Sequence, residues 1–154
     1  MVRLEQHFDL IMSQRTLLRF LIAFAAGLMS TLVFNQGMLA FLHAIAFTPI
    51  APYPTSPTRP FGVPFFWSAA FWGGIWGIGL AAVLNRVQQR FFYWGIAFLF
   101  GMFVPTLVSI FVVFPLQQVT VTPNLIFLIL MVNAAWGVGT AFFLQFQSRS
   151  LKNL

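Results

Sequence analysis

Four long apolar runs, about Leu17 to Phe41, Pro64 to Leu84, Phe91 to Phe114 and Pro123 to Leu144, dominate this chain and decide what it can fold into. Each reaches the roughly 20 residues that a helix needs to cross the hydrocarbon core of a bilayer. With 60% of residues hydrophobic and 6% charged, the 154-residue chain cannot present the charged surface of a soluble domain. The expected fold is all-α and polytopic: a bundle of four transmembrane helices, here spans 1 to 4, paired as two hairpins. Residues 1–154 then form a single transmembrane domain. It divides into a leader (1–16), a first helical hairpin (17–84) with a proline-rich loop (48–63), a second hairpin (91–144) and a tail (145–154).

The distribution of charge sets the expected orientation. Arg3, Arg15 and Arg19 flank the start of span 1, Arg86 and Arg90 join spans 2 and 3, and Arg149 and Lys152 follow span 4. Only Arg59 falls on the other side, so the positive-inside rule puts both termini in the cytoplasm. Glu5 and Asp9 interrupt the leader, which argues against a cleaved signal and for span 1 as an uncleaved anchor. Leu4, Phe8, Ile11 and Met12 recur at helical spacing, the pattern of a short interfacial helix.

Span 2 reads "WSAAFWGGIWGIGLAAVLNR", with glycines that would each cost about 1 kcal/mol in a water-exposed helix. Small residues recur every four positions in all four spans: Ala23, Gly27 and Thr31; Ala69, Gly73, Gly77 and Ala81; Ala97 and Gly101; Gly137 and Ala141 after Asn133. Residues four apart share a helix face, so these lines form shallow grooves where another backbone can approach. They are expected to be contact surface, either between these helices or toward a partner. Trp72, Trp76 and Trp136 sit beside the grooves, whereas Trp67 and Trp94 fall near the membrane surfaces and fit an aromatic belt.

The same residues outline an internal duplication. Trp76 to Ala81 matches Trp136 to Ala141 at an offset of 60, and Ala23, Phe24 and Gly27 match Ala97, Phe98 and Gly101 at an offset of 74. The difference falls in the connecting loop, making the segment "TPIAPYPTSPTRPFGVP" an insertion in the first copy. Both hairpins begin on the same side, so the repeat is parallel. Six prolines in that segment favour extended backbone and a semi-rigid strap. Pro64 suits the first turn of span 2, Thr122 and Pro123 an N-cap and first position for span 4, Pro105 a kink in span 3 and Pro115 its end.

Chemistry-bearing residues are scarce. Glu5 and Asp9 are the only acids and there is no cysteine, which removes paired carboxylates, a Ser/His/Asp set with an available acid, thiolate catalysis and disulfides. No HExxH and no phosphate-binding glycine loop occurs, and the net charge of +6 has no separate basic domain through which to bind nucleic acid. The polar candidates are Asn35, Gln36 and His43 on span 1 with Arg59 in the strap, and Asn133 in span 4. They read as interhelical hydrogen bonds, with an anion, headgroup or cofactor site near His43 as the sharper alternative.

The combination of "FNQGMLAFLH", "PFGVP" and "AFWGGIWGIG" resembles small four-span inner-membrane proteins of Gram-negative bacteria, mainly over residues 20–84. That likeness implies a bacterial inner-membrane location and carries no activity with it. The functional expectation is a non-catalytic accessory or assembly subunit, packing against a larger membrane complex, membrane lipid or a second copy through Gly27, Gly73, Gly77, Ala81, Gly101, Gly137 and Ala141. A small-solute transporter or channel using Asn35, Gln36 and Asn133 is the alternative, and a lipid, quinone or pigment binder is the third.

Overall fold

A helical segment covers each of the four apolar runs in the computed structural model, which describes the backbone of residues 2–150 and the side chains of residues 14–146. Four helical spans are long and apolar enough to cross a membrane: Gln14–Ala44, Phe65–Leu84, Arg90–Gln117 and Pro123–Phe146. They pack as an all-α bundle, varied only by a two-stranded ribbon in the strap. The interfacial face expected of the leader, and the side chains of Arg149 and Lys152, lie outside the described residues.

Span 1 comprises α1 (Val2–Ser30), a π-helical turn (Thr31–Asn35) and α2 (Gln36–Ala44). The ribbon strands β1 (Pro57–Thr58) and β2 (Val63–Pro64) lead into α3 (Phe65–Leu84), which is span 2. Span 3 joins α4 (Arg90–Val108), a second π-helical turn (Ser109–Val113) and α5 (Phe114–Gln117), and α6 (Pro123–Ser150) carries span 4. Pro105 lies inside α4, and the Ser109 hydroxyl donates to its carbonyl at 2.8 Å just where the π turn begins. Pro115 does not end span 3 as expected. It sits in the first turn of α5, which continues the helix of span 3 without a break, and Gln118 in the left-handed conformation makes the stop. Pro64 caps span 2 from one residue outside it. Thr122 Oγ1 accepts the Leu125 N–H at 3.3 Å, and Pro123 opens α6.

The matched positions make alike contacts in the two hairpins. A Cβ added to Gly27 would meet the carbonyl of Gly73 and lie 2.9 Å from the Cα of Gly77. At the matching position in the second half, a Cβ on Gly101 would lie 2.5 Å from the carbonyl of Asn133 and 2.7 Å from the Cα of Gly137. The carbonyls of Ala23 and Ala97 close on Gly77 and Gly137 in the same way. Spans 1 and 2 therefore cross at the position equivalent to the crossing of spans 3 and 4. The two offsets of 60 and 74 are the spacing of these two contacts.

Symmetry stops at the junction between hairpins. A Cβ on Gly139 would run into the Phe34 ring and the Ser30 hydroxyl, so span 4 lies tightly on span 1. Its counterpart Gly79 has only Phe100 Cζ, at 3.7 Å, to meet from span 3. Leu80, Leu84, Ala97, Trp136 and Ala141 form one buried apolar cluster, and Leu39, Leu42, Leu128 and Val132 form a second toward the strap side.

The strap is more structured than its prolines imply. β1 and β2 pair antiparallel, Pro57 opposite Pro64 and Thr58 opposite Val63. Prolines stand at the ends of this ribbon, where no ladder donor is lost. The turn closes through the Gly62 N–H on the Thr58 carbonyl at 2.7 Å, with Gly62 at φ +68°. Residues poor in N–H groups remain rich in carbonyls, and the strap uses them: Ser56 and Pro54 accept the otherwise free N–H groups of Phe65 and Phe66 at the start of α3.

Candidate functional site

All seven small residues singled out in the sequence, Gly27, Gly73, Gly77, Ala81, Gly101, Gly137 and Ala141, are buried within the protein itself. Thr31 fills the space beside Gly73: a Cβ there would collide with its hydroxyl. The groove on span 2 is thus occupied by span 1, and it offers no seat to a partner. Spacing alone gives a helix a groove without saying whose backbone lies in it.

The polar candidates separate into one partly buried relay and two peripheral contacts. Gln36 is 2% exposed and accepts the backbone N–H of Tyr53 from the strap on its Oε1 at 2.7 Å. Its Nε2 donates to Asn35 Oδ1 at 3.2 Å. Asn35 Nδ2 donates to the Val132 carbonyl at 3.2 Å and, at a longer 3.4 Å, to Asn133 Oδ1. Asn133 Nδ2 in turn donates to Thr106 Oγ1 at 3.0 Å. The chain of bonds runs from the strap through spans 1 and 4 to span 3. In hydrocarbon an unpaired amide is costly, and these amides have protein partners.

His43 and Arg59 do not join this relay. His43 lies at the exposed end of α2, its Nδ1 3.1 Å from the Thr48 carbonyl. Arg59 reaches the strap-side end of span 3. Its backbone N–H donates to Gln117 Oε1 at 3.2 Å, Gln117 Nε2 donates back to its carbonyl at 3.1 Å, and its Nη1 donates to Gln118 Oε1 at 3.2 Å. Searches of protein-family models, curated proteins and solved structures find no match to this chain.

Two residues outside the polar candidates complete the site. Trp136 is 3% exposed and its indole donates to the Gly27 carbonyl at 2.9 Å, while its own carbonyl accepts from Ser30 Oγ at 2.6 Å. It bridges the two hairpins at the first helix crossing. Trp72, also placed beside a groove by its spacing, is instead 56% exposed on the outer face of span 2. The second residue is Tyr53. The Gln36 N–H bonds to the Thr31 and Val33 carbonyls, which bypasses Leu32, and the Tyr53 hydroxyl donates to the Leu32 carbonyl at 2.9 Å. The strap therefore satisfies the acceptor that the π-helical turn leaves over.

A cleft opens on the surface of the bundle. It lies over span 4, floored by Ala134 and Ala135, with walls of Phe34 and Met38 from span 1 and Phe98 and Met102 from span 3. Its volume is about 450 Å³ and its lining is apolar throughout. Methionine and phenylalanine walls suit an apolar occupant of adaptable shape and offer nothing to a charged solute.

Proposed function

We propose that this protein is a non-catalytic integral membrane component, an accessory or assembly subunit acting through the lipid-facing surface of a pre-packed bundle. One observation carries the reading: the small-residue grooves and the amides within the spans are engaged in the protein's own packing. What remains for recognition is the apolar exterior and the cleft over span 4. Transport by way of Asn35, Gln36 and Asn133 finds less support, because these side chains are engaged in tying helices together. The location we infer is a bacterial inner membrane with both termini cytoplasmic. The seven basic residues on one side against Arg59 on the other support that orientation, and the resemblance over residues 20–84 supports the compartment.

The apolar cleft favours a second reading, in which a lipid, quinone or pigment tail rests against Met38 and Met102. Extraction from the native membrane in a mild detergent, followed by the mass and composition of the intact particle, separates the two. Stoichiometric foreign subunits are expected, and they should be lost from Ala135→Phe, which fills the cleft floor. A particle holding only this chain overturns the accessory reading, and a copurifying small molecule displaced by the same substitution supports the second.

A further inference from the structure

We infer that the ribbon of the strap is a membrane-contacting finger: Phe61 inserts into the leaflet on the strap side, and Arg59 binds a lipid phosphate there. Two fastenings fix its depth. At one end β2 runs directly into α3, whose third residue is Trp67, an aromatic of the kind that sits at headgroup level. At the other, the backbone of Arg59 is held from both sides by Gln117, the last residue of α5. Counted from Arg90 at the helical rise, Gln117 lies about 40 Å along span 3, beyond the roughly 30 Å of hydrocarbon and therefore among the headgroups.

The chemistry of the tip matches that depth. Phe61 is 87% exposed, an unusual state for a phenylalanine in a loop that is otherwise tied down at both ends. Beside the fastening, Leu116 is 70% exposed on the lipid-facing side of span 3, so the tip continues an apolar surface already turned toward lipid. Among the described residues there is no carboxylate for Arg59 to pair with, since the sequence has no acidic residue after Asp9. Among the described residues its guanidinium makes one hydrogen bond, to Gln118, which leaves donors for an anion. A phosphate is the anion present at headgroup depth, and an aromatic beside a cationic side chain is the pairing that interfacial segments use.

The absence of cysteine from the chain permits a clean test. Phe61→Cys carries an environment-sensitive fluorophore in vesicles of phosphatidylcholine and phosphatidylglycerol. Phe111→Cys in span 3 and Gln89→Cys in the opposite loop serve as lipid and water references. Quenching of the Phe61 probe by shallow brominated lipid is expected to exceed quenching by aqueous iodide severalfold, at every protein-to-lipid ratio. In an Arg59→Gln background the ratio should move toward iodide. Iodide dominance overturns the inference, as does shielding from both quenchers that grows with protein density, because the occupant is then a second copy. An unchanged ratio in Arg59→Gln overturns the phosphate contact.

Discussion

Gly27 and Gly77 touch backbone to backbone, as do Gly101 and Gly137, and in each pair a single methyl group would fall within 3 Å of the partner's Cα. Backbone atoms cannot rotate aside as a side chain can, so the helices themselves must separate. Lipid is as apolar as the helix surface it would replace, which leaves close van der Waals contact as the main attraction between spans.

Gly77→Ala and Gly101→Ala are therefore expected to lower bundle stability by about 1 to 3 kcal/mol, the usual cost of overpacking. Gly37→Ala and Gly95→Ala provide the contrast, because nothing stands within 4 Å of a Cβ at either position. These two should be neutral or slightly stabilising. Reversible unfolding in mixed micelles with increasing dodecyl sulfate measures all four on one scale, and equal losses at both kinds of site would contradict the packing described.

How far the sequence carries can be judged residue by residue. The spans were legible because hydrocarbon thickness imposes a length that few other structures need. The helix crossings were legible because only the smallest residues permit them, so Gly27, Gly77, Gly101 and Gly137 marked both crossings. The partner of each groove was not legible, since a line of glycines looks the same to an internal and an external helix. Asn35, Gln36 and Asn133 stood out as amides in apolar surroundings, yet their bonds to Tyr53, Val132 and Thr106 depend on how the helices rotate. Neither π-helical turn leaves a mark in composition. Trp136 carried one usable signal: a tryptophan far from either membrane surface needs an acceptor for its indole N–H.

Loss of that acceptor bond is the second expectation. Trp136→Phe retains most of the ring volume and removes the donor to the Gly27 carbonyl, which keeps its bond from Thr31 Oγ1 at 3.0 Å. The carbonyl is not orphaned, so the cost should stay near that of one membrane hydrogen bond, about 1 kcal/mol. Trp136→Ala opens a cavity between the hairpins as well and should cost about 3 kcal/mol or more. Similar losses for the two variants would mean that the ring contributes little packing.

Tyr53→Phe isolates the link between strap and π-helical turn. The phenyl ring keeps its edge contact with Phe66, at 6.1 Å between centroids, while the Leu32 carbonyl loses its donor. Amide exchange should rise in the strap around residues 53–56 and at the turn Thr31–Asn35, with spans 3 and 4 unaffected. Gln36→Leu should release the same strap residues by removing the acceptor of the Tyr53 N–H. If exchange rises in neither variant, the strap is held by its ribbon and by the caps it gives α3, and not by span 1.

The relay through Asn133 makes a quantitative distinction between its two neighbours. Its donation to Thr106 Oγ1 at 3.0 Å has ordinary hydrogen-bond length, whereas the contact from Asn35 at 3.4 Å is long, and the same Asn35 group has the Val132 carbonyl nearer at 3.2 Å. A double-mutant cycle of Asn133→Leu with Thr106→Val should then show coupling of about 1 kcal/mol, within the range found for membrane hydrogen bonds. The cycle of Asn133→Leu with Asn35→Leu should show distinctly less, because Asn35 retains its backbone acceptor when Asn133 is removed. The reverse order would mean that Asn133 is oriented mainly by span 1, and that the relay ends at span 4 without reaching span 3.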